Sequence, residues 1–317
     1  MKPISLQSIR SNERSGIYIV LLILVGAAFV VNVLLGVNFF RLSNLLNIAR
    51  SFSMLGLAAL GQTIVIISGG LDLSVGEAVS TSNVIAANFM VGDDARLFAG
   101  IVIVCLFGAL VGLLNGLLVS KRNVPPFIAT LGMATVVKGI RLIWTKGLPT
   151  GSIPESLKTL GTGTSLGIPN LLYVFVVGAL VISFILTRTG FGRRIYVTGT
   201  NRNVAVLSGI RADRVTIMAY VTCSVCAALV GVLIGGYTGM ADQFSGDGYD
   251  IDTIAASVLG GAAIGGGIGS VSGTVIGTII MLIVTNLSVL AHFPIQSQML
   301  MKGILIIIAL WLNGKKA

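Results

Sequence analysis

A bundle of membrane-crossing α-helices is the fold class this sequence predicts, and three observations carry it. The 317-residue chain is 55% hydrophobic and only 10% charged, with a mean hydropathy of +0.98, whereas a soluble surface needs roughly a quarter or more of its residues charged. Its apolar runs are continuous over about 20 residues, enough for a helix to cross the hydrocarbon core, and do not alternate as barrel strands do. Only helices and closed barrels satisfy every backbone group in lipid, so the runs select helices. Third, the basic residues sort by loop: residues 187–214, TRTGFGRRIYVTGTNRNVAVLSGIRADR, form the longest polar and most basic interval, and such loops stay on the cytoplasmic side.

The elements follow in order. Residues 1–16 carry Lys2, Arg10 and Arg14 against Glu13. Residues 17–37 are long enough to span and lack the short apolar core and cleavage site of a signal peptide, which makes them a first span with a cytoplasmic N-terminus. Residues 38–51 read as an outer turn with an interfacial piece, and 52–68 as the second span. That span runs into Gly69, Gly70, Leu71, Asp72, Leu73, Ser74, Val75 and Gly76, after which apolar residues resume to Val91. Two glycines and an acid either break a helix to line a path or form a tight inner turn whose Asp72 caps the next helix.

Residues 92–96 form an outer turn and 97–120 the fourth span, closed by Lys121 and Arg122. Pro125 and Pro126 start the fifth, where the missing N–H costs least. Lys138 and Arg141 in its later turns either snorkel to the interface or face a water-filled path. Residues 146–170 are the longest outer loop, and 171–186 span back to the basic interval. A seventh span covers 215–237, and an outer loop with Asp242, Asp247, Asp250 and Asp252 follows. Residues 254–269 hold so many glycines and alanines that close packing, a break or re-entry all fit. Spans at 271–290 and 295–312 complete about ten segments, with Lys315 and Lys316 at a cytoplasmic C-terminus, all in one transmembrane domain over residues 1–317.

Charge supports this orientation. Lys2, Arg10, Arg14, Lys121, Arg122, Arg188, Arg193, Arg194, Arg202, Arg211, Arg214, Lys315 and Lys316 fall inside against Glu13 and Asp213. The other eight basic residues face seven acids outside, Asp93, Asp94, Glu155, Asp242, Asp247, Asp250 and Asp252. Asp72 and Glu77 sit at the inner break. The inverted arrangement violates the positive-inside rule. The net charge of +10 is therefore topological, and no basic stripe interleaves with aromatics as in single-strand binders.

Catalytic signatures are missing: no G-x-x-x-x-G-K-[ST], no GxSxG and no HExxH occurs, which points away from covalent chemistry. Cys223 and Cys226 form a CxxC inside an apolar helix with no second ligand pair, so packing explains them better than zinc. The glycines of 260–269 follow no strand and make no dinucleotide fingerprint. Acids lie at turns, which weakens ion coupling and favours a separate cytoplasmic ATPase. Such a partner needs a docking element, and 200–210 suits it: Thr200 or Asn201 can cap, Arg202 to Ser208 make about two turns, and Gly209 can end them left-handed. A helix lying on the membrane surface fits the same residues.

The chain resembles the permease subunit of ribose-type ATP-binding-cassette importers, a family that carries sugars and related small solutes. The resemblance rests on SGGLDLSVG at 68–76, NVPPFIATLGM at 123–133, TGFGRRIYVTGTN at 189–201 with LSGI at 207–210, and GYDIDTIAASVLGGAAIGGGIGSVSGTVIG at 248–277. It implies a pair of permease subunits, identical or different, a cytoplasmic ATPase that holds the ATP and Mg, an extracytoplasmic solute-binding protein, and a bacterial cytoplasmic (inner) membrane. No cofactor, metal or nucleic acid is expected on this chain. Residues 199–210 look like the coupling helix, with Arg193, Arg194, Gly199, Asn201, Leu207, Ser208, Gly209 and Ile210 as coupling residues. The stretch departs from the family pattern at Arg202, Asn203 and Val204, where an acidic or small residue followed by alanines is common. Gly69, Gly70, Asp72, Ser74, Gly260 and Gly261 are candidate path residues, since a neutral polyol calls for hydroxyls, amides and open backbone. The binding protein would dock on 146–170 and 242–252. A branched-chain amino-acid permease and an ion-coupled carrier remain the alternatives.

Overall fold

The computed structural model describes residues 39–314 and, before them, Gly26. The expected first span, the N-terminal charges and Lys315–Lys316 lie outside the described residues. Twelve α-helices, a 3-10 turn and one small hairpin make up the rest, among the described residues. Six of the helices are long and apolar enough to cross a membrane.

Helix α1, Leu42–Ile67, is the axis of the bundle. Its 26 residues cover about 39 Å at 1.5 Å each, and 83% of its most apolar window is buried. It starts ten residues earlier than the expected second span, so 42–51 is helix and not an outer turn. Asn44 explains the extension: its amide exchanges hydrogen bonds with Asn286 at 2.9 and 3.0 Å, so a polar first turn is tied to a distant helix. Gly69, at φ +85°, then reverses the chain into α2, Val75–Met90.

A 3-10 turn at Asp94–Arg96 leads into α3, Leu97–Lys121, and α4 follows at Pro126–Thr145. The expected outer loop is ordered: α5 spans Glu155–Thr162, and β1, Thr164–Ser165, pairs antiparallel with β2, Ile168–Pro169. Leu166 and Gly167, both at positive φ, close a two-residue hairpin. Helix α6, Asn170–Arg188, exposes most of its surface.

The basic interval is largely helical too. It forms α7, Gly190–Thr200, and α8, Arg202–Leu207, before α9, Ala212–Thr238. Helix α10, Tyr249–Leu259, has 11 residues, about 16 Å, and ends in the glycine-rich turn. It is too short to cross, so the segment at 254–269 is a half-helix followed by an irregular return. Helices α11, Val271–Leu290, and α12, Ile295–Gly314, complete the order.

Small residues set the closest packing. On α3, Gly108, Gly112 and Gly116 recur every four residues on one face. A Cβ there would meet Ser224 O at 2.7 Å, Tyr220 O at 2.5 Å and Ile217 Cα at 2.6 Å, so backbone of α9 lies directly against that face. Gly61 of α1 brings that helix to within 3.0 Å, in the same sense, of Cys223 Cα. All three cysteines are free, and Cys223 and Cys226 are buried in packing, as expected for this CxxC.

Candidate functional site

The end of the bundle that carries the basic interval gathers several stretches of irregular backbone. Three interruptions converge there: the turn after α1, the junction between α7 and α8, and the loop after α10. Gly267 N donates to Ile67 O at 2.9 Å, joining the first break to the third. Gly199 lies between them, and a Cβ on it would fall on Ile67 O and sit 2.7 Å from Gly267 N. A Cβ on Gly266, itself at φ +87°, would meet Gly199 O at 2.6 Å and Gly69 Cα at 2.9 Å. Tyr196 of α7 adds a hydroxyl bond to Gly269 O at 2.9 Å. Only glycine permits backbones this close, or φ values of +74° to +87° at Gly266 and Gly267 without strain.

A cavity of about 330 Å³ opens beside this knot, lined by Ser68, Gly69, Gly70, Thr198, Gly199, Asn201 and neighbours. It unites Gly69 and Gly70, expected on the path, with Gly199 and Asn201, expected in the coupling element. Asp72 and Ser74 stand behind it. Asp72 is fully buried, and its carboxylate accepts from Ser74 N at 2.9 Å, Ser74 Oγ at 2.6 Å, Asn115 Nδ2 at 3.4 Å and Ser224 Oγ at 3.4 Å. The Gln62 amide, oriented to satisfy both its atoms, bridges the Asp72 backbone at 3.1 and 3.2 Å, and Tyr220 donates to Leu71 O at 3.1 Å. Asp72 therefore pins the turn ahead of α2 and does not face the cavity. Gly260 serves packing, since a Cβ there would meet Gly273 of α11, and Gly261, at φ +87°, makes the turn that ends α10. Neither lines the cavity.

The α8 element forms as its local signals require. Asn201 Oδ1 accepts from Val204 N at 3.0 Å, and Gly209 ends the helix at φ +76°, with Gly209 N bonded to Val206 O and Ile210 N to Ala205 O. Its tip is open: Leu207 is 87% exposed, and Val204 and Val206 are half bare or more, with Ser208 and Gly209 exposed beside them and Ile210 half-buried. Arg193 and Arg194 are exposed on α7. Arg202, the departure from the family pattern, turns back into the chain: its guanidinium reaches Asp213 at 2.5 Å and Ser120 O at 3.0 Å, and Lys121 meets the same Asp213 at 2.8 Å. This latch fixes the start of α8 to α3 and α9.

Sequence reasoning missed a second polar cluster. Arg141 does not snorkel: it is 1% exposed and pairs with Glu77 at 2.8 Å, while Lys138 meets the other Glu77 oxygen at 3.4 Å. Arg141 also donates to Thr81 Oγ1 at 3.1 Å. Spacing within α4 put the two cations on neighbouring turns, yet nothing local identified Glu77 as their shared partner. At the opposite end of the bundle, Ser152 of the first stretch expected to receive a binding protein forms an isolated β-bridge with Met240, two residues before the second stretch begins.

Six helices long and apolar enough to cross a membrane, one half-helix, and backbone breaks gathered beside an exposed capped helix at the basic end make up the architecture of a polytopic membrane protein. The chain belongs to the family described as branched-chain amino acid transport system / permease component, whose pattern matches residues 44–310. It is 33% identical to the ribose import permease protein RbsC of Escherichia coli K12 over 88% of both chains. It is 36% identical to RbsC of Bacillus subtilis over 90% of this chain and 88% of that one. It is also 31% identical to the autoinducer 2 import system permease protein LsrC of Klebsiella pneumoniae over 91% of this chain and 84% of that one. No solved structure matches it. These relationships make it a ribose-type permease of the ATP-binding-cassette class, a transport subunit and not an enzyme.

Proposed function

We propose that this chain is one of a pair of permease subunits, identical or not, that move a monosaccharide or similar small polyol through the bacterial cytoplasmic membrane by alternating access. An ATPase on the cytoplasmic face binds ATP and Mg and grips the exposed tip of α8 together with Arg193 and Arg194. A solute-binding protein delivers the solute to the surfaces at 146–170 and 242–252. The termini are cytoplasmic and the spans number about ten, counting half-helices and the first apolar run.

One observation carries this reading. Gly199, which opens the coupling element, rests on backbone of both breaks, at Ile67 and Gly267. Movement of the α7–α8 junction therefore displaces α1 and the α10 return directly, without a flexible side chain between them. The Arg202–Asp213 latch makes α8 move as one piece with the ends of α3 and α9. Packed backbone of this kind has few intermediate arrangements, which is what a two-state gate requires.

The test is reconstitution with the ATPase and binding protein and measurement of labelled pentose uptake against ATP hydrolysis. Charge reversal at both Arg193 and Arg194 is expected to abolish ATP-driven uptake while the permease still inserts. Uptake unchanged by that reversal removes the coupling assignment. Uptake of leucine in place of any sugar removes the solute class.

A further inference from the structure

The Lys138–Glu77–Arg141 cluster has no role in the coupling element, and its placement is unusual for a membrane helix. Lys138 lies about 18 Å along α4 from Pro126 and about 10 Å short of Thr145, inside the span from both ends. Its side chain is 47% exposed. It shares an open face with Leu131 and Thr135, and beside it Gly132 and Gly139 have empty space where a side chain would stand.

Snorkelling does not account for it. A snorkelling lysine carries its ammonium outward along the span, whereas Lys138 sends Nζ to Glu77 at 3.4 Å. Glu77 belongs to the first turn of α2, just past Ser74, which Asn115 holds at 2.9 Å near the basic end of α3. The cation is thus drawn toward the interior of the span. A half-bare ammonium at that depth is costly against lipid and stable against water.

Arg141 is closed off at 1% exposure and commits one Glu77 oxygen at 2.8 Å. What remains is Lys138 Nζ, a donor on the half-exposed side chain, and Glu77 Oε1, an acceptor on a side chain 17% exposed, separated by 3.4 Å. A carboxylate approaching both would be repelled by Glu77 and an ammonium by Lys138. A hydroxyl satisfies both, accepting from Nζ and donating to Oε1. We propose that this face of α4 lines the water-filled solute path and that Lys138 and Glu77 form a hydroxyl-binding step within it. The solute contact rests on the importer reading above; the water-filled face does not.

The experiment has two arms. In the full chain in native membranes, Lys138→Cys and Phe184→Cys are exposed to a charged, water-soluble methanethiosulfonate reagent, with the wild-type chain as background. Phe184 is a bare apolar position on α6. Faster reaction at K138C than at F184C supports the path. Equal rates overturn it, whether lipid or a second copy covers the face. In the second arm, the reconstituted importer carries whichever labelled pentose or polyol the wild type transports. Lys138→Gln, which keeps bulk and loses charge, should lower solute moved per ATP by about tenfold, the loss of one charge-assisted bond, with Lys138→Arg restoring most of it. An unchanged ratio in K138Q overturns the solute contact. If the wild type carries no member of the panel, the importer reading fails, while the labelling arm still decides whether Lys138 stands in water.

Discussion

Gly199→Ala is the sharpest perturbation of the coupling path, because one methyl group meets only backbone. The new Cβ would fall on Ile67 O and lie 2.7 Å from Gly267 N, the two atoms that bond each other at 2.9 Å. No rotamer relieves the overlap, so the two breaks must separate. Overpacking of this kind costs about 1–3 kcal/mol, and loss of the Gly267–Ile67 bond adds about 1 kcal/mol. At a factor of ten per ~1.4 kcal/mol, the closed contact becomes at least about thirtyfold less populated. The assay is uptake per ATP hydrolysed by the reconstituted complex, beside Gly303→Ala as a control in open helical space on α12. G199A should uncouple transport while G303A behaves as wild type or is slightly stabilised. Equal behaviour of the two would show that the glycine contact transmits nothing.

Three further outcomes follow from the geometry. Arg141→Met alone should be tolerated better than Glu77→Gln alone, because the latter strands a buried guanidinium at about 3–5 kcal/mol; the double variant should recover most of that loss, and a thermal-melt cycle showing simple additivity would contradict the pairing. Gly112→Leu should break the α3–α9 contact, where a Cβ already meets Tyr220 O at 2.5 Å, and sharply reduce the folded permease recovered in detergent; normal yield and melting would refute the close approach. Arg202→Ala removes both contacts that tie the start of α8 to α9 and α3, at Asp213 and at Ser120 O, whereas Asp213→Ala leaves the Ser120 O bond and loses only half-exposed ion pairs worth about 1 kcal/mol or less each. ATPase affinity measured on the two variants should therefore fall more for R202A, and the reverse order would remove the latch.

Local signals were the legible ones. Thr200 or Asn201 before an apolar turn and Gly209 after it marked α8 to within a residue at each end, because cap and terminator act through neighbours in the chain. The six long apolar helices were legible through composition, and Pro126 marked the start of α4. Long-range partners were not. Arg41 and Arg50 made 38–51 look like an outer turn with an interfacial piece, until the Asn44–Asn286 amide pair is seen to hold 42–51 in the helix. GFGRRIYVTGT carries three glycines and reads as loop, yet it is helix α7, because Gly192 and Gly199 are the positions where other backbone presses on it. Likewise the glycines of 260–269 announced irregularity without saying which of them meets Gly199. Glu77 was assigned to the inner turn because only the fold brings α4 alongside it.

The central claim is that this chain forms the path while a separate ATPase supplies the energy. The measurement that tests it most directly is labelled pentose accumulation in vesicles holding the permease, its ATPase and its binding protein, with each component omitted in turn. Accumulation that needs ATP, the ATPase and the binding protein together is the result predicted here. Accumulation by this chain alone, driven by an ion gradient, would contradict it.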